Sequence, residues 1–114
     1  MVRVEAGNSG TVRFVNCAFW GPCNQIAKIA GTGTVGFSDC TFVQWDRDKE
    51  GRYAIQAEGG SVLVRGCEFK EKKPQIDIGK GVKQAVISDN IFAGQPQITN
   101  KSKALVSLDK NSTQ

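Results

Sequence analysis

Every second residue is apolar in four short stretches of this chain: Val12 and Phe14, Val35 and Phe37, Val62 and Val64, Ala85 and Ile87. A period of two is the mark of a β-strand, because successive side chains leave a strand on opposite faces. Helical spacing fits none of the four. Each stretch opens a longer phrase that recurs, GTVRFVNCAF at 10–19, GTVGFSDCTF at 33–42, GSVLVRGCEF at 60–69 and the worn copy KQAVISDNIF at 83–92. Anchored on Cys17, Cys40, Cys67 and Asn90, successive copies lie 23, 27 and 23 residues apart, so the second interval holds a four-residue insertion. A repeat of this length predicts a solenoid, in which one turn cannot bury its apolar face alone and must stack on its neighbours.

Just before each anchor stand Asn16, Asp39, Gly66 and Asp89, residue types that enter the left-handed backbone region at least cost. A bend is predicted there. Beyond it a second short strand carries the anchor and, two residues on, Phe19, Phe42, Phe69 or Phe92, so anchor and Phe share the inward face. A variable loop follows, then a less regular third strand, IAKI at 26–29, YAIQA at 53–57, QIDI at 75–78 and QIT at 97–99. Glycines at 31, 33, 59, 60, 79 and 81 close the turn. The pattern predicts an all-β parallel β-helix of about four to five turns, three strands to a turn. Its stacked columns of Phe, Cys and Val lie in contact at the roughly 4.8 Å spacing of neighbouring strands. VRVEAG at 2–7 fits the third strand of a preceding turn and ALVSL at 104–108 the first strand of a following one. Residues 1–108 are therefore expected to form one β-helix domain and 109–114 a polar C-terminal tail.

This repeat resembles the pectate-lyase-like superfamily of right-handed parallel β-helices, in which a bend joins the second strand to its neighbour and long loops return the chain. The resemblance covers residues 1 to about 108, and its motifs belong to the fold, matching no single enzyme family. It implies the right-handed coil. It also implies a site, because in pectate lyases, polygalacturonases and their relatives the substrate lies along outward residues of the strand after the long loop. Carried onto this chain, that row is Glu5, Lys28, Gln56, Asp77 and Thr99, walled by the loops 20–25, 43–52 and 70–75. A one-residue slip in register would turn the row inward.

The insertion is the richest of these walls, with Trp45, Asp46, Arg47, Asp48, Lys49, Glu50 and Arg52. An exposed Trp45 offers a flat apolar face to a sugar ring, and Asp46 and Asp48 can hydrogen-bond its hydroxyls. Trp20, in the first wall, has the same capacity. The alternative is that Trp20 and Trp45 fold against the side of the coil and the charges are solvated. A glycoside hydrolase needs two carboxylates roughly 5 to 9.5 Å apart. The row supplies Glu5 and Asp77, three turns and about 14 Å from each other. Asp77 with Asp46 or Asp48 is the remaining pairing, and nothing in the sequence selects one.

Other chemistry is narrowed by what is missing. The chain has no His, so no Ser-His-Asp triad, and no phosphate-binding loop of the G-x-x-x-x-G-K type. Its four cysteines include no C-x-x-C pair, which argues against zinc; Cys17, Cys40 and Cys67 are expected to be free thiols in one inward column, and no cofactor is expected. The net charge of +4 and the lysines at 70, 72, 73, 80 and 83 favour an acidic partner. An acidic polysaccharide suits both charge and fold, whereas nucleic acid is not expected, because the lysines lack interleaved aromatics. No apolar stretch has the length of a membrane span and the first twenty residues lack a leader pattern, so no membrane partner is expected and the compartment stays open. Neither end of the coil carries a recognisable cap. Either the chain is part of a longer β-helix or its ends pack on another subunit. Two functions stand: a carbohydrate-binding or structural β-helix segment of a larger polysaccharide-processing or surface protein, and a fragment of a glycoside hydrolase or polysaccharide lyase whose catalytic residues lie partly elsewhere.

Overall fold

Among the described residues the alternation and the repeat build thirteen strands and no helix. The computed structural model describes residues 1–103 and 105–113. In chain order they are β1 (Val2–Val4), β2 (Thr11–Val15), β3 (Ala18–Trp20), β4 (Ala27–Ile29), β5 (Thr34–Ser38), β6 (Thr41–Val43) and β7 (Ile55–Arg65). They continue as β8 (Glu68–Phe69), β9 (Ile76–Ser88), β10 (Ile91–Phe92), β11 (Ile98–Asn100), β12 (Leu105–Asp109) and β13 (Ser112–Thr113). All pairs are parallel. Second strands stack in the order β3, β6, β8, β10 and β13. Third strands stack from β1 through β4, β7 and β9 to β11, and first strands from β2 through β5, β7 and β9 to β12. The fold is a parallel β-solenoid of about five turns.

Third and first strands were expected to be separated by a glycine turn in every coil. In β7 and β9 the strand instead runs on through the glycines, with register shifts between Ala57 and Gly59 and between Gly60 and Ser61. Gly60, at φ +75°, has no room for a side chain, which would drive into the Gly33 carbonyl one rung away. The bends fall where the sequence places them, with φ of 55° at Asn16, 54° at Asp39, 65° at Gly66 and 58° at Asp89.

Register aligns the inward columns. Phe19, Phe42, Phe69 and Phe92 stack face to face with centroids 5.2, 4.5 and 5.1 Å apart. Phe14 and Phe37 form a second stack at 5.2 Å and meet the first edge to face. In the anchor column, a shared hydrogen-bonding task explains why thiol and amide interchange. Cys40 Sγ donates to the Phe14 carbonyl, Cys67 Sγ to that of Phe37, Asn90 Nδ2 to that of Val64 and Asn111 Nδ2 to that of Ile87. Each anchor thus satisfies a carbonyl one rung back. The longer amide also offers an acceptor, and Asn90 Oδ1 takes the Cys67 N–H at 2.8 Å. All four cysteines are free, and burial pushes the Cys67 thiol up to about 12 and raises that of Cys40.

Residues 109–113, expected as a polar tail, continue the coil. Asn111 takes the anchor place, accepting the Asn90 N–H through Oδ1, and β13 pairs with β10. At the expected strand over 104–108, the structure has β12 over Leu105–Asp109, and Ala104 lies outside the described residues.

Candidate functional site

Register places Lys28, Gln56, Asp77 and Thr99 on four successive rungs of the third-strand sheet, as the sequence predicts. The fifth member is corrected. Arg3, not Glu5, pairs with Lys28. Glu5 keeps the same parity but lies past the end of β1, where it forms an exposed ion pair with Arg3 at 3.3 Å. Asp77 is consequently the one acid in the row.

The row is knitted laterally. Lys28 Nζ lies 3.4 Å from Glu58 Oε1, and Gln25 Nε2 donates to Gln56 Oε1 at 3.1 Å and to the Tyr53 carbonyl at 3.2 Å. Tyr53 hydrogen-bonds through its hydroxyl to Thr99 Oγ1. Thr99 stands two rungs beyond Gln56, with Asp77 on the rung between them. Asp77 is 5% exposed; its Oδ1 is buried without a hydrogen-bond partner and pairs with Lys101 Nζ at 3.6 Å. A carboxylate oxygen so covered keeps an unmet demand for a donor.

Three loops stack beside the row as its wall. Asp46 N–H donates to the Asn24 carbonyl and Arg47 N–H to that of Cys23; the Gln44 N–H is held by the Glu71 carboxylate. Within this wall the insertion departs from expectation. Trp45 is wholly buried, its Nε1 donating to the Pro74 carbonyl at 2.7 Å and its ring edge-on to Phe69 at 6.3 Å. It offers no face to a ligand, and the fold-over alternative describes it. Asp46 is buried too, its carboxylate accepting the N–H groups of Glu50, Gly51 and Arg52 at 2.9 to 3.1 Å. Its own φ is +56°, and the bent insertion closes on it like a cap. Asp48 is exposed and held by Asn24 Nδ2 at 2.7 Å and Arg47 Nε at 3.3 Å. Trp20 is 74% exposed, but it sits on the second-strand sheet, at the rim of a hollow of about 380 Å³ that opens at the first coil among Val2, Phe19, Pro22 and Ile26. The structure therefore brings Lys28, Gln56 and Asp77 together and leaves Trp20, Trp45, Asp46 and Asp48 outside their row.

Tyr53 is the residue that sequence reasoning underused. It is the chain's one tyrosine and falls two residues ahead of β7, where a side chain reaches across the sheet face. Gln25, buried and bridging Tyr53 to Gln56, carries no sequence signal at all.

Burial works to raise the Asp46 carboxyl, but the three backbone N–H groups and the Lys73 charge outweigh it and hold the group below its ordinary value of 3.8. A depressed folded-state value contributes stability that is present above the unfolded value and lost as pH falls through the folded one. Protection of the Glu50, Gly51 and Arg52 amides from hydrogen exchange is therefore expected to hold above about pH 4 and to fall below it. Asp46→Asn should show weaker protection, without that acid transition. Asp48 is likewise lowered, by the Asn24 hydrogen bond first and Arg47 next.

Among the described residues no cluster of three or more His, Cys, Asp or Glu could hold a metal ion, and no helix is long and apolar enough to cross a membrane. In comparison with known proteins, the chain matches no family model, no curated protein and no solved structure.

Proposed function

We propose that this chain is a carbohydrate-binding segment of a right-handed, pectate-lyase-like β-helix, and that polysaccharide lies along the row Lys28, Gln56, Asp77 and Thr99. The observation that carries the reading is the row itself: a cation, an amide, a carboxylate and a hydroxyl at one-rung intervals, with the half-buried Tyr53 ring alongside. Lys28, Gln56 and Thr99 each offer a linear polymer a partly exposed donor or acceptor, Asp77 becomes reachable only as Lys101 moves aside, and the ring gives a sugar an apolar face. The unmet oxygen of Asp77 supports the same reading, since displacement of Lys101 would free it for a sugar hydroxyl. The charge of +4 favours acidic chains. The alternative, a fragment of a glycoside hydrolase or polysaccharide lyase whose catalytic residues lie partly elsewhere, would draw on Asp77 as the row's one acid and needs its partner from outside these rungs.

Calorimetric titration with acidic and neutral oligosaccharides tests the proposal. Tyr53→Ala should weaken binding about fivefold, the loss of roughly 1 kcal/mol of aromatic contact. Thr99→Val removes the same internal hydrogen bond but keeps the ring, and should weaken it less. No binding at millimolar ligand, or binding indifferent to both Tyr53→Ala and Asp77→Asn, would overturn the assignment.

A further inference from the structure

We propose that the lysine corner beside the row, formed by Lys80, Lys83 and Lys103, seats a sulfate or phosphate ester carried by the polysaccharide, and that this ester draws Lys101 off Asp77. The inference rests on the proposed row, which it deepens by naming the charged group of the ligand.

Lys80 and Lys83 lie where β9 passes from third to first strand, on an inner rung with β7 on one side and β11 and β12 on the other. Their outward reach follows from register. Gly79 and Lys80 together stand opposite the single residue Glu58, and Lys83 falls between Val82 and Gln84, whose partners Gly60 and Ser61 are consecutive. Each shift is a bulge of one extra residue, a device that re-aims a side chain. The glycines hold the backbone against the preceding rung, since a Cβ at Gly79 or Gly81 would drive into the Ala57 or Glu58 carbonyl. Val82 is buried, its carbonyl accepts Ser102 Oγ at 2.6 Å, and the Ile78 carbonyl accepts the Lys101 N–H at 2.7 Å. The backbone is thus pinned while both lysines stand exposed.

With Lys103 on the next rung they line a hollow of about 480 Å³. Its charge is unanswered. Glu58, the acid of the preceding rung, pairs with Lys28 at 3.4 Å and Asp77 with Lys101 at 3.6 Å, and among the described residues Lys80, Lys83 and Lys103 have no ion pair. Like charges around one opening repel each other, and a bound anion relieves that repulsion. Lysines act as point charges, which suit an ester with three terminal oxygens, whereas a planar carboxylate is matched by the forked donors of arginine. No arginine is among the described residues that line the hollow. Lys101 links corner to row. Its Nζ already reaches Asp77, so an ester seated among the lysines competes for it and leaves Oδ1 to a sugar hydroxyl.

Calorimetric titration with an O-sulfated oligosaccharide, its O-phosphorylated counterpart, the unsubstituted parent and a uronate oligomer of equal length tests the proposal. Both esters should bind more tightly than the parent, the larger gain showing which ester the corner prefers, and the gain should shrink as salt is raised. Lys80→Gln combined with Lys83→Gln should remove roughly tenfold of that gain, two exposed charge contacts at the upper end of their range, and leave affinity for the parent unchanged. The double variant breaks no ion pair among the described residues, so its thermal melt should not fall below that of wild type. Tyr53→Ala should weaken all the oligosaccharides by one factor, which lets row and corner fail separately. If the parent binds and the esters bind no better, if a uronate oligomer outbinds both esters, or if the double variant keeps the full gain, the corner is overturned and the row stands. If no oligosaccharide binds, the row falls. Inorganic sulfate that shifts the Gly81 and Lys83 amide resonances would then uphold the corner by itself, and without those shifts the corner falls too.

Discussion

Phe42→Ala is expected to cost about 3 to 5 kcal/mol, the range for emptying a large aromatic site in a packed core. The reason lies in the stack. Phe42 is fully buried between Phe19 at 5.2 Å and Phe69 at 4.5 Å, with the edge of Phe37 at 5.6 Å, so neighbours on three sides lose contact at once. A parallel ladder of backbone hydrogen bonds holds those neighbours in place, which limits collapse into the space. Small domains have only about 5 to 15 kcal/mol of stability, so the loss removes a large share of it. Phe19→Ala makes the control. It is partly exposed at the first coil and should cost distinctly less. Urea denaturation of both variants measures the difference, and a loss under about 1 kcal/mol for Phe42→Ala would mean that the column is not interior.

How far the sequence reveals this molecule depends on whether a residue's place follows from local repetition. The bends, the Phe column and the Cys column recur at a fixed period, so parity and spacing suffice to place Phe42 or Cys67 inside. Asn90 and Asn111 show the limit. The first is legible as a variant of the anchor, because KQAVISDNIF keeps the rest of the phrase. The second is not, because DKNSTQ replaces the inward Phe by Thr113 and resembles a tail. The polar row is legible by the same parity, with its error confined to β1, where Arg3 and Glu5 both point outward and only pairing with Lys28 decides between them. The insertion follows no period. Its residues are placed by contacts with distant loops, such as Asn24 on Asp48 and Glu71 on Gln44, and no local pattern announces these. Hence a tryptophan among six charged residues looks solvent-facing in the sequence and is core in the fold.

That tryptophan yields the second large effect. Trp45→Ala should lower stability by about 3 to 5 kcal/mol, since it empties the volume of the largest buried side chain and strips an edge contact from Phe69. Trp45→Phe separates packing from hydrogen bonding. It keeps most of the ring and removes the Nε1 donor, while the Pro74 carbonyl retains the Ala54 N–H at 3.2 Å, so the added cost is about 1 kcal/mol, that of one hydrogen bond. Fluorescence distinguishes the two indoles. With Trp20→Phe the remaining emission should be blue-shifted and poorly quenched by acrylamide, and with Trp45→Phe the remaining Trp20 should quench readily. Any loss of carbohydrate binding in Trp45→Ala should then follow the fraction unfolded, because the indole has no exposed face with which to touch a sugar. If Trp45→Ala instead left stability unchanged while binding fell, the insertion would have to be open, with the tryptophan on its surface.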